Sequence, residues 1–265
     1  MQFSDLLLSR RLERTEGQAS TQFAEARRRL FPDSGSCSMQ IAGAHVVFDG
    51  IDSPVTQTFG LGIFEDLTHS SLDTIERFFL DRGAPVNHEV SPLAGVAALA
   101  LLCARSYRPI EISNVMVRTV ENPPPSSIAV RVAAPEEAEL WADVSARGWT
   151  HDHPELKALG KQFGAVAFAR EHGPCFLAEL DGQAGAAASL WIYDGVALLS
   201  GAATVPEMRR RGLQSALLQE RMRYAFEHGC DLAMMVAEAG GESQRNAERK
   251  GFRIAYTRTK WRLSS

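Results

Sequence analysis

Cysteine is scarce in this sequence, positive charge is not in excess, and no long apolar run occurs; each shortage removes a class of protein. The 265 residues hold four cysteines, Cys37, Cys103, Cys175 and Cys230. They lie far apart with no C-x-x-C pair, which leaves neither a disulfide framework nor a zinc-site spacing. They read as reduced core thiols. Against 28 Lys and Arg stand 32 Asp and Glu, a net charge of −4 with a pI near 6.0. A general nucleic-acid binder needs a basic surface to hold phosphates, so that class is set aside. No stretch approaches the roughly 18 apolar residues of a membrane span. Residues 1–30 carry Arg10, Arg11, Arg14, Arg27, Arg28 and Arg29 without the continuous apolar segment of a secretory signal. The expected setting is the cytoplasm, away from membrane and nucleic acid. The lysine pattern of a nucleotide-binding P-loop is also missing.

What is present is a globular composition, 45% hydrophobic and 23% charged, with room for two modest domains. The clearest linker is Asn122-Pro123-Pro124-Pro125-Ser126, which divides the chain into 1–125 and 126–265. In the first half, residues 3–30 form a helix with Phe3, Leu6, Leu7, Phe23, Ala26 and Leu30 as candidate buried positions. That helix is a candidate either for the core or for an oligomer contact, which leaves a homodimer open. Met39 to Phe48 and Val55 to Leu61 read as strands. Ser71 is expected to cap a helix with Leu72, Ile75, Phe78 and Phe79 on its apolar face. After a strand from Pro85 to Val90, the helix from Leu93 to Ser106 is apolar almost all round and is expected to be buried. Arg108 to Val120 then reads as a strand.

The second half is more regular. The strand Ile128 to Val132 leads to a helix opened by Pro135-Glu136-Glu137 and then to a second short helix. Cys175 to Leu180 and Ala184 to Tyr193 make a hairpin through Asp181-Gly182. Val196 to Val205 is a strand, Leu213 to His228 a helix, Asp231 to Ala237 a strand, Ser243 to Lys250 a helix capped by Ser243, and a last strand runs to Arg262. The chemistry concentrates where the strand ending at Val205 stops at Pro206 and the helix starts at about Gly212. The first N–H groups of a helix lack internal partners, and the aligned peptide dipoles favour an anion there by about 0.3–1 kcal/mol. Gly212 has no Cβ to hold an anion off the backbone.

The run Arg209-Arg210-Arg211-Gly212-Leu213-Gln214 resembles the R-x-x-G-x-G/A signature of the GNAT superfamily of N-acetyltransferases, with Gln214 in place of the last Gly or Ala. The element order over about 128–263 is similar to that family's. The resemblance implies an α/β fold with a mixed, mostly antiparallel central sheet flanked by helices, and acetyl-CoA as cosubstrate without a metal. It implies that Ala203, Thr204 and Val205 pair with pantetheine, that the N–H of Thr204 or Val205 polarises the thioester, and that Arg209, Arg210, Arg211, Gly212, Leu213, Gln214 and Ser215 hold the pyrophosphate. Asn246 and Arg249, in Ser243-x-x-Asn246-x-x-Arg249-x-Gly251-Phe252, are further cofactor candidates.

Acetyl transfer to an amine needs a base, because an alkyl amine with a pKa near 10.4 is almost wholly protonated at neutral pH. Glu238, directly after a strand end of the kind that faces ligand crevices, is the first candidate. The alternative is an exposed loop carboxylate. His151, Asp152 and His153, with Glu155, cluster before a helix where relatives bind the acceptor; helix capping is the plain alternative, and the trio is a weak metal pattern. Relatives carry a tyrosine acid four residues before the glycine of Gly251-Phe252, and this chain has Ala247. Tyr256 is a candidate substitute, with a core or interface role as its alternative.

The first half repeats the order of the second. Gly83 to Tyr107 and Gly229 to Phe252 are nearly equal in spacing, and Tyr107-Arg108-Pro109-Ile110 matches Phe252-Arg253-Ile254-Ala255. A tandem pair is expected, with 1–125 a degraded copy serving as scaffold and cleft wall. Where the second half has its arginine turn, the first has Phe59-Gly60-Leu61-Gly62-Ile63-Phe64-Glu65-Asp66. Its two carboxylates would repel a pyrophosphate. The expected activity is transfer of an acetyl group from acetyl-CoA to a primary amine of a small molecule or peptide. An acyl-CoA-binding protein without turnover is the alternative.

Overall fold

The structure, a computed structural model, describes residues 4–151 and 153–264. Phe3 and Asp152, both singled out in the sequence, lie outside the described residues. The chain divides into two compact units, one running to Arg118 and resuming at Met234, the other spanning Thr119–Ala233.

The first unit opens with α1 (Leu6–Leu30). Asp5 caps it by accepting the Leu8 N–H at 2.9 Å, and Arg27, Arg28 and Arg29 sit in the last turn, where positive charge opposes the helix dipole. Leu6, Leu7 and Leu30, expected on the buried face, are exposed, whereas Leu8, Leu12, Phe23 and Ala26 are buried. One strand was expected from Met39 to Phe48, and two are found: β1 (Cys37–Ile41) and β2 (Ala44–Phe48), paired antiparallel. Ala42 and Gly43, with φ of 49° and 75°, make the tight turn that reverses the chain. β3 (Gln57–Phe59) and α2 (His69–Leu80) follow. The cap of α2 is Thr68 and not Ser71. Thr68 Oγ1 accepts from the Ser71 N–H at 3.1 Å while Ser71 Oγ accepts from the Thr68 N–H at 3.0 Å, so Ser71 is the third residue of a reciprocal capping box.

After β4 (Asn87–Val90) comes α3 (Gly95–Ala104), and here the sequence misleads. Only Ala98 and Leu102 of this helix are buried, and Val96 is 81% exposed. Leu102 packs in the core beside Leu72, Ile75, Phe79 and Tyr107, Leu99 and Leu101 are partly buried against it, and Val96, Ala97, Ala100, Cys103 and Ala104 are exposed. β5 (Tyr107–Thr119) completes this stretch.

The second unit contains β6 (Ala129–Val132), α4 (Ala138–Trp149), α5 (Lys157–Phe168), β7 (Cys175–Leu180), β8 (Gln183–Tyr193), β9 (Val196–Thr204) and α6 (Leu213–Glu227). Its strands lie in the order β9-β8-β7-β6, antiparallel throughout. Asp181 and Gly182 turn the β7–β8 hairpin at φ of 53° and 74°. Trp141, 1% exposed, anchors α4 by donating its indole N–H to the Phe176 carbonyl at 3.1 Å.

The chain then runs through β10 (Leu232–Glu238) into the first unit and ends with α7 (Glu242–Arg249) and β11 (Arg253–Leu263). Strand order in this unit is β1-β2-β3-β4-β11-β5-β10, with β3 parallel to β4. The last strand is therefore sandwiched, antiparallel, between β4 and β5 of the first half. Ser243 does not cap α7: the helix starts one residue earlier, with Gly241 at the cap position and no side chain on its free N–H groups. Of the cysteines, Cys175 and Cys230 are buried as expected, but Cys37 is half-buried and Cys103 exposed, on the uncovered side of α3. Among the described residues no helix is long and apolar enough to cross a membrane.

Candidate functional site

The arginine turn lies wholly within the second unit. β9 delivers Ala203, Thr204 and Val205 as buried residues, and Pro206–Met208 makes one turn of 3-10 helix. Arg209 is extended, Arg210 is left-handed at φ 61°, and Gly212, at φ 87°, occupies the N-cap of α6. A side chain at Gly212 would be strained by that φ, and its Cβ would stand 3.2 Å from Ile128 Cδ1. No side chain caps α6. The N–H groups of Leu213, Gln214 and Ser215 thus emerge at the exposed turn Arg209–Gly212 with the positive end of the helix dipole behind them. Gln214, the departure from the R-x-x-G-x-G/A pattern, does not obstruct this point. Its Nε2 donates to Thr204 Oγ1 at 2.8 Å, turning the side chain back onto β9.

Close packing holds the turn in place. A Cβ on Gly185 of β8 would overlap Met208 Sδ, and one on Gly148 would sit 2.7 Å from Ala203 Cβ and 2.9 Å from the Thr204 nitrogen. Both glycines are required for β8 and α4 to approach the end of β9. The Val205 N–H, one of two expected to polarise a thioester, donates to the Gly185 carbonyl at 2.9 Å. That donor is spent within the sheet. Further back, Ala187 pairs with Ala203 and Ser189 with Ser200, so Gly201 and Ala202 together face Ala188 as a β-bulge, with Gly201 at φ 64°. Arg221 of α6, fully buried, braces the bulge by donating to the carbonyls of Ser189 (3.2 Å) and Ser200 (3.4 Å), and burial lowers its pKa to about 10. Sequence reading missed both features. The signal was a glycine in the middle of a strand.

Of the acceptor-loop residues, His151 and His153 are exposed. His153 Nδ1 lies 3.2 Å from Glu155 Oε1. His151 meets Arg209: Nη1 is 3.2 Å from its Nε2 and Nη2 is 3.1 Å from its Nδ1. Arg209 also donates to the Gly148 carbonyl (3.1 Å) and the Thr204 carbonyl (3.4 Å), so this arginine joins the loop to the turn. Arg211 contacts Asp181 at 3.3 Å. Among the described residues no group of three or more His, Cys, Asp or Glu is placed to hold a metal ion.

The remaining candidates lie in the first unit. Glu238 is exposed at the end of β10, where the chain turns through Gly240 and Gly241. That turn is tied to β5: Gln244 Oε1 accepts from the Gly240 N–H at 2.7 Å and from Asn114 Nδ2 at 2.8 Å. Asn246 Oδ1 accepts from Arg249 Nη1 at 3.0 Å on the surface of α7. Ala247, where relatives carry a tyrosine, is 3% exposed and faces the interior. Tyr256 is buried, and its hydroxyl donates to Glu13 Oε1 of α1 at 2.8 Å. Burial raises its pKa well above the ordinary tyrosine value.

Fold and turn together define an α/β protein whose strand–turn–helix junction presents an uncapped helix start and arginines to an anion. Residues 136–252 match the family model described as Acetyltransferase (GNAT) family, so the second half of this chain carries a GNAT acetyltransferase domain. Among solved structures, a GCN5-related N-acetyltransferase from Kribbella flavida is similar with a TM-score of 0.70 at 18% identity, covering 97% of this chain and 96% of that one. A tandem GNAT protein from the clavulanic acid biosynthesis pathway gives 0.57 at 12% identity, covering 84% and 79%. A GCN5-related N-acetyltransferase from Sphaerobacter thermophilus gives 0.54 at 17%, covering 94% and 91%. At such identities the likeness is one of fold. No curated protein sequence matches the chain.

Proposed function

We propose that this protein is an acetyl-CoA-dependent N-acetyltransferase that moves an acetyl group to a primary amine by direct transfer in a ternary complex. The observation that carries this reading is the uncapped start of α6 beneath Gly212, flanked by Arg210 and Arg211 at the end of β9. The residues fit the pyrophosphate arm: glycine at the point of closest approach, a helix start that no side chain among the described residues caps, and Gln214 drawn aside by Thr204. Ala203 and Thr204 offer strand edges to the pantetheine arm. Asn246 and Arg249 of α7 are proposed as further cofactor contacts.

In the reaction, the amine nitrogen forms a bond to the thioester carbon, the C–S bond breaks, and CoA leaves as thiolate. Glu238, exposed and at a strand end, is proposed to take the ammonium proton, a role worth about 10²–10⁴ in rate. A thiol has a pKa near 8.5, so the leaving group needs little help from an acid. This suits a chain with Ala247 at the tyrosine position. A covalent acetyl-enzyme has little support: burial pushes the Cys175 thiol up to about 12, and no sequence motif places a Ser–His pair for attack. His151, Asp152 and His153 are proposed to line the way in for the acceptor.

The first half is proposed to be a degraded copy that binds no second acetyl-CoA. In its corresponding stretch the carbonyls of Ile63 and Phe64 accept from Arg10 at 2.5 and 3.5 Å, and the Arg14 guanidinium lies 4.9 Å from the centre of the Phe64 ring. That turn presents acceptors already held by cations. The buried Ala247 favours one second reading, an acyl-CoA-binding protein without turnover. Isothermal titration with acetyl-CoA, beside Gly212→Glu, tests the site: binding in the wild type and none in the variant is the expected result, and failure of the folded wild type to bind overturns the reading. Thiol release with a panel of primary amines then separates enzyme from binder.

A further inference from the structure

We infer that the second unit carries a binding site for a small monovalent anion of halide size, formed by the Arg170 guanidinium, the Trp191 indole N–H and the space left beside Gly173. The inference is independent of the cofactor turn and of the acetyl-CoA reading. Arginine is almost never buried unless its charge and its donors are met. Four arginines are buried among the described residues, and three are met in full view. Arg27 pairs with Asp49 at 2.6 Å, Arg258 with Glu13, Glu16 and Glu89, and Arg221 gives its Nε and Nη1 to the carbonyls of Leu217, Ser189 and Ser200. Arg170, in the turn between α5 and β7, is the fourth. Its Nε donates to the Ala167 carbonyl at 3.2 Å, and that is the one hydrogen bond of its guanidinium among the described residues.

No side chain among the described residues supplies the missing negative charge. The one ionisable group that acts on Arg170 is the Cys175 thiol. Its sulfur lies 4.0 Å from the Ala167 carbonyl oxygen and 3.9 Å from that of Gly173, and burial pushes the thiol up to about 12, so it is neutral. Burial also lowers the Arg170 pKa, as expected of a poorly solvated cation. A second donor stands beside it. Trp191 is 5% exposed, its ring centre is 5.8 Å from Arg170 Cζ, and its Nε1 is buried without a hydrogen-bond partner among the described residues. Gly173 leaves the room. Its φ is outside the left-handed region, so the backbone does not demand glycine there. A Cβ on it would stand 3.3 Å from Trp191 Cε3, 3.4 Å from Arg170 Cβ and 3.5 Å from the Leu190 carbonyl oxygen, filling the gap between the two side chains. A monatomic anion accepts N–H donors from any direction, and its charge offsets that of a guanidinium which water barely reaches.

The test uses the full chain, with sodium chloride as the probe replacing sodium gluconate at constant ionic strength. The indole N–H resonance of Trp191, assigned by its loss in Trp191→Phe, is expected to shift to saturation as chloride rises, and the melting midpoint to increase by about 2–4 °C. Arg170→Gln removes the charge and is expected to weaken chloride binding by about tenfold or more. Gly173→Ala keeps both donors, narrows the space between them and is expected to weaken binding too. Wild-type crystals soaked in sodium bromide are expected to show an anomalous peak in contact with Arg170 and Trp191, a result that depends on no variant folding. A Trp191 resonance indifferent to chloride in the folded wild type overturns the site. So does a response undiminished in Arg170→Gln, or the absence of a bromide peak at this position.

Discussion

The hydroxyl of Tyr256, near the end of the chain, donates at 2.8 Å to the carboxylate of Glu13, in the first helix. Both side chains are buried, and Arg258 lies 3.2 Å from the same carboxylate oxygen. Burial alone would drive Glu13 toward its neutral form, and its pKa is indeed raised, with Arg258 and Tyr256 opposing the shift. Tyr256→Phe removes one donor from a carboxylate that water does not reach. The expected cost is about 1–3 kcal/mol, read as a lower urea midpoint. An unchanged midpoint would show the bond to be dispensable.

Arg258 is the keystone of the same group. It meets Glu13, Glu16 and Glu89 at 3.2, 2.6 and 3.1 Å and is itself 2% exposed. Arg258→Met leaves those carboxylates without their shared cation, and a loss of about 3–5 kcal/mol is expected. Combining it with Glu13→Gln should recover part of that loss, since one stranded charge is then gone; strict additivity of the two costs in denaturation would refute the coupling.

His88 supplies a pH signature. It is fully buried against Tyr107, ring centres 4.9 Å apart, and neither ring nitrogen has a hydrogen-bond partner among the described residues. Desolvation lowers its pKa from 6.5 to about 3. The folded state holds this ring neutral while the unfolded chain protonates it below about pH 6.5. Its contribution is therefore present above that pH and lost as pH falls toward 3. As pH falls through this window the wild type should steadily lose stability relative to His88→Phe. Parallel stability curves from pH 7 to 4 would contradict the assignment.

Gly148 is expected to be intolerant of any side chain. A methyl group there would press on Ala203 and the Thr204 backbone, neither of which is a flexible chain end. Gly148→Ala should destabilise by about 1–3 kcal/mol and weaken acetyl-CoA binding by displacing the end of β9. Wild-type affinity and melting temperature together would show that α4 moves freely away from the strand.

Local chemistry made much of the second half legible. Asp181-Gly182 marks its hairpin, Pro206 and Gly212 bound the turn, and 3.6-residue periodicity marks α4 and α6, because each signal is confined to a few neighbouring residues. The arginine signature was readable for the same reason. What escaped depended on distant neighbours. Local periodicity could not show that α3 would fully bury only Ala98 and Leu102, that Ser71 would be the inner member of a capping box, or that Val205 would give its N–H to Gly185.

By itself, then, the sequence determined the element order, the strand–turn–helix junction and the family of its second half, all matters of residue type at fixed short spacing. Tertiary structure decided the partners. It placed β11 between β4 and β5, set Tyr256 on Glu13, and turned Arg209 toward His151. Strand edges and guanidinium forks accept many partners of similar energy, and only the closure of the chain in three dimensions selects among them.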